Sequence, residues 1–122
     1  MDHVELMRRV RRGQQAVPSP LDWARSILYK SGVPVTDADA AKFLDAANAV
    51  YHYDNWLWKQ APGKYRFDSR DHEGDLMDSG QLYYLADPDM AFLTDDRRIK
   101  QRIACSSKLN QVLLYRNFIS EL

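Results

Sequence analysis

The sequence predicts an α/β protein: a helix-rich N-terminal half followed by a C-terminal β-α-β unit with a small parallel sheet. Three observations lead there. Helix caps and apolar stripes at helical spacing recur from residue 2 to residue 58, before any β-rich run. Two short continuous apolar runs, Met90-Ala91-Phe92-Leu93-Thr94 and Gln111-Val112-Leu113-Leu114-Tyr115, stand either side of a helical pattern at 97–104. A length of 122 residues, 45% hydrophobic and 28% charged, suits one domain with a small core. Within residues 1–122, the expected parts are a helical region at 1–60, a loop at 61–74, and a helix plus β-α-β region at 75–122.

Seventeen basic and seventeen acidic residues cancel, which excludes a strongly basic nucleic-acid coat or an acidic disordered chain as overall character. The single Cys105 has no partner for an intramolecular disulfide, and the charged N-terminus lacks the apolar run of a secretory signal. A reducing cytoplasm is the expected compartment. No apolar run approaches the roughly 18 residues needed to span a bilayer, so no membrane association is expected.

The first helix is expected over 2–15, with Val4, Met7 and Val10 as its stripe and Gly13 near its end. Arg8, Arg9, Arg11 and Arg12 form a basic face that suits either solvent or phosphates. Ser19 can cap a second helix, with Pro20 at its first position and Asp22 in its first turn, running to about Ser31. Its stripe is Leu21, Ala24, Ile27 and Leu28, flanked by Trp23 and Tyr29. Gly32 suits a left-handed position before Pro34.

Thr36 opens the longest helical signal, with Ala40, Phe43, Leu44, Ala47 and Val50 or Tyr51 on its buried side. It can continue through 51–58, where four of eight residues are Tyr or Trp. Such a cluster serves a core or an interface, or stacks unpaired bases. His52 reads as a hydrogen-bonded neighbour. Ala61-Pro62-Gly63 ends the helix, and the polar stretch 64–74 lacks the Gly and Glu spacing of an EF-hand.

Residues 75–86 read as a helix carrying Asp75, Asp78, Leu82, Leu85 and Ala86 on one face. Carboxylates in line with core residues demand partners. Asp87-Pro88-Asp89 is a turn, and Asp95 and Asp96 follow the first strand at its carboxyl end, where ligands of parallel sheets bind. A final turn of helix carries Phe118, Ile119 and Leu122. Hard oxygen ligands without His or Cys suit Mg2+ or Mn2+. The same residues also suit plain structural duties: Thr94 or Asp95 as a helix cap, Asp75 in a first turn, and Arg97, Arg98 or Arg102 as neutralising partners.

The stretch Asp78-Ser79-Gly80-Gln81-Leu82-Tyr83-Tyr84-Leu85-Ala86, then Phe92-Leu93-Thr94-Asp95-Asp96, a helix and Val112-Leu113-Leu114-Tyr115, resembles the C-terminal part of a PIN domain. The resemblance covers about residues 73–118. It implies a Mg2+- or Mn2+-dependent ribonuclease, of the kind often found as the toxin of a toxin-antitoxin pair, with RNA as substrate and an antitoxin protein as partner. By position, Asp78 corresponds to the family's third acid, with Asp75 as its rival, Asp96 to the fourth, and Thr94 to the supporting hydroxyl. For the second acid, usually a Glu on a helix in that family, the candidate is Glu5 by its helical setting alone.

The first strand of that family, ending in a principal Asp ligand, has no counterpart before residue 90. The expectation is therefore a PIN-like domain lacking its beginning, whether a naturally shortened protein, a truncated open reading frame, or a subunit completing its sheet with another chain as a homo-oligomer, and impaired as a nuclease if the first Asp is needed. The rival expectation is a non-catalytic interaction or dimerisation module using the aromatic helix 51–58, with Trp56 and Trp58 at its centre. Cys105 reads as a small core residue.

Overall fold

A computed structural model describes residues 2–29, 32, 34–59 and 80–115. The helix-rich region and the small parallel sheet are both present. Four helices come first: α1 (His3–Arg11), α2 (Pro20–Leu28), α3 (Asp37–Ala46) and α4 (Asn48–Lys59). After a 3-10 turn at Leu82–Ala86 come β1 (Phe92–Thr94), α5 (Arg97–Arg102), a 3-10 turn at Leu109–Gln111 and β2 (Val112–Leu114). Strands β1 and β2 pair in parallel, with Phe92 opposite Val112, Leu93 opposite Leu113 and Thr94 opposite Leu114.

The helix starts follow the side chains that satisfy their first free N–H groups. Asp2 accepts from Val4 at 2.7 Å, Ser19 accepts from Asp22 at 3.2 Å, and Thr36 forms a reciprocal capping box with Asp39. Gly13 and Gly32 both take positive φ, a backbone conformation that glycine adopts without steric cost. Helix α1 ends at Arg11 and α2 at Leu28, both before the expected ends.

Several packing expectations need correction. In α1 the buried pair is Leu6 and Val10, four residues apart, while Val4 is 60% exposed. A three-residue spacing drifts around a helix, and Val4 lies at the far end of that drift. Trp23 does not flank the α2 stripe. It is fully buried, stacked on Phe43 at 5.9 Å and edge-on to Tyr51 at 5.5 Å.

The long helix from Thr36 is two helices. Ala47 stands between them at φ −96°, ψ 24°, its N–H closing α3 on Phe43 and its carbonyl receiving the N–H of Tyr51. Asn48, the first residue of α4, accepts at Oδ1 from the Ser106 hydroxyl at 2.7 Å and the Ser107 N–H at 3.0 Å. The start of α4 is thus tied to the C-terminal region, and the new direction still keeps Ala40, Ala47, Val50 and Tyr51 in one core.

The sheet also differs from the buried pair expected. Val112 is fully buried, but Leu93 is 48% and Leu113 36% exposed, so one sheet face meets the core and the other does not. Cys105 is exposed and not a core residue, while Ile103 and Ser106 on either side of it are buried. The described part of the expected 75–86 helix closes as a 3-10 turn, whose three-residue repeat sends Leu82 and Leu85 into the core and leaves Ala86 outside. The loop expected at 61–74 and the final turn with Phe118, Ile119 and Leu122 lie outside the described residues.

Candidate functional site

The segment after β1 is built by local hydrogen bonding. Thr94 Oγ1 accepts from the Asp96 N–H at 3.0 Å, which sets the turn out of the strand. Asp96, and not Thr94 or Asp95 as expected, then caps α5, its Oδ1 accepting from the Arg98 N–H at 2.9 Å, because the Thr94 hydroxyl is taken up by the Asp96 N–H one turn earlier. The Arg98 guanidinium closes on the same carboxylate, Nε to Oδ1 and Nη2 to Oδ2, each at 3.0 Å. This hydrogen bonding by Arg98 holds the Asp96 carboxyl below its ordinary pKa, against a smaller opposing effect of burial. Asp95 beside it is exposed.

Thr94, Asp95 and Asp96 therefore come together at the carboxyl edge of the sheet, whereas Asp75 and Asp78 lie outside the described residues. No group of three or more His, Cys, Asp or Glu side chains converges as a cation site among the described residues. Glu5 is engaged on the surface of α1 by Arg8 and by Arg9, the latter at 3.0 Å. Arg11 and Arg12 are exposed on the same helix.

The aromatic helix mainly faces inward. Tyr51, Tyr53, Leu57 and Trp58 are buried, and Trp56 is half-buried beneath Arg102, whose guanidinium carbon lies 4.3 Å from the indole centroid. Arg102 also donates from Nη1 to the Tyr53 hydroxyl at 2.7 Å. A cation stacked on aromatic faces and bonded to a phenol joins α4 to α5. His52 packs edge-on to Tyr51 at 5.2 Å, and burial, then Lys59, push its pKa down.

A buried polar chain crosses the helical core. Asp54, 7% exposed, accepts from the Trp23 indole N–H at 3.2 Å. Burial and the charge of Asp54 push the Tyr83 phenol up to about 12. Ser26 donates to the Trp23 carbonyl at 2.7 Å, leaving its oxygen to receive His3 Nδ1 at 3.0 Å. Beside Ser26 opens a cavity of about 770 Å3, bounded by Leu6, Tyr29 and Val35 and rimmed by Asp22 and Arg25.

Three contacts have no signature in local sequence. Arg102 meets an aromatic helix 49 residues away from its Tyr53 partner, and Asn48 meets Ser106 across 58. Gln111 turns its Nε2 onto the carbonyls of Leu85, Asp87 and Met90 at 2.9–3.2 Å, pinning the Asp87-Pro88-Asp89 turn beside β2. Only Arg102, as one of several arginines near the acids, carried a hint of a structural role. No family model matches this chain, and no curated protein or solved structure matches it either.

Proposed function

We propose that this chain is a PIN-like protein, with no strand before β1 among its described residues, whose acidic edge serves metal-dependent phosphodiester chemistry on RNA. The observation that supports this reading is the position of Thr94-Asp95-Asp96 at the carboxyl end of β1 in a parallel β-α-β unit. Asp96 and Asp78 are the leading ligands for Mg2+ or Mn2+, with Asp75 and Asp95 as further ligands or water-orienting groups. Their donors are hard oxygens, the type these ions take. When bound, such an ion supplies an activated water and stabilises charge on the scissile phosphate.

Arg98 sets a condition on that role. Oδ1 of Asp96 accepts two hydrogen bonds and Oδ2 one, so a cation must use what remains of Oδ2 or displace the guanidinium. The Arg98 side chain is 67% exposed. Thr94 holds the loop, and the arginines of α1 are the candidate phosphate contacts, Arg8 and Arg9 by exchanging Glu5 for RNA. RNA and an antitoxin-type protein are the partners this reading implies.

The deciding experiment is thermal unfolding with and without Mn2+. The wild type should gain several degrees, and Asp78→Asn and Asp96→Asn should lose the gain, because a ligand bound only to the folded state raises its stability. Arg98→Ala should tighten Mn2+ binding several-fold by removing the competing cation. A wild type indifferent to Mn2+ overturns the metal reading.

A second reading, self-association through the sheet, is supported by the exposed register pair Leu93 and Leu113. Parallel strands are ordinarily covered on both faces, and a second copy would cover this one. Light scattering on the eluting protein should give a dimer that Leu93→Lys converts to a monomer. A monomeric wild type removes the reading. The aromatic-helix form of this proposal has less support, since the rings of α4 mainly fill the core of their own chain.

A further inference from the structure

We draw no further inference here: the strongest candidate, the cavity of about 770 Å3 bounded by α1, α2 and the segment leading to α3, has at its rim an Arg25 already ion-paired with Asp22 and Asp37, and nothing in the structure shows what fills it.

Discussion

The helices α1–α4 and the β1-α5-β2 unit solve the same problem of burial differently. The helical region encloses large aromatic side chains, and for the Trp23 indole N–H it supplies a partner in Asp54. The β-α-β unit has two three-residue strands and a six-residue helix, and it leaves Leu93, Leu113, Met90 and Tyr115 substantially exposed. Elements that short lack the local cooperativity to stand alone. Their attachment to α4, through Arg102 and Asn48, therefore carries much of their order.

The largest effect should come from emptying the helical core. Trp23→Ala removes a fully buried indole and takes the N–H from Asp54, and should destabilise by about 3–5 kcal/mol in urea unfolding followed by circular dichroism. A loss below about 1 kcal/mol would mean that the two regions do not differ in packing as described.

A smaller effect should separate the regions. Arg102→Met keeps an apolar stem over Trp56 but removes the charge and the bond to Tyr53, and should cost about 1–3 kcal/mol. Hydrogen exchange should show the loss mainly in α5 and β2. A double-mutant cycle with Trp56→Leu should give a coupling of about 0.5–2 kcal/mol, and zero coupling would remove the clamp from the account.

The smallest effect is expected at the exposed edge and depends on pH. The Asp96 carboxyl is held below its unfolded value, so its contribution is complete above about pH 4 and disappears as pH falls through the lowered folded value. Asp96→Asn should therefore flatten the acid limb of the stability profile while changing little of its shape near neutrality. An unchanged acid limb would show that the Arg98 pairing contributes nothing to folding.

What the sequence made legible was local. Ser19 with Pro20, and Thr36, announce helix starts because capping needs only a few consecutive residues, whereas the cap of α5 falls on Asp96, beyond the expected Thr94 or Asp95. The parallel pairing of β1 with β2 follows the two apolar runs, though their register is fixed only in the structure. The break at Ala47 was not legible, since alanine is the best helix former and the Ser106 and Ser107 bonds that hold Asn48 beside it come from far along the sequence. Trp23 was misplaced because its neighbours in α3 and α4 decide its burial. The exposed sheet face was misread because a short apolar run does not reveal how many of its sides will be covered. At the candidate site, the Thr94-Asp95-Asp96 turn was legible, while the Arg98 fork was one choice among three nearby arginines.

The ties from Arg102 to Tyr53 and from Ser106 to Asn48 also bear on the order of folding. Each closes a loop of about 50 residues or more, an entropic cost of about 3.5 kcal/mol from the length dependence alone. Within the helical half Ser26 meets His3 and Asp54 meets Trp23 over shorter separations, and contacts of that kind form earlier. The helical half thus becomes the template on which α5 docks. Strands β1 and β2 pair across a short separation, so the step that waits for the helical half is docking of the β1-α5-β2 unit, and slowing that step prolongs exposure of the surface it buries against α4.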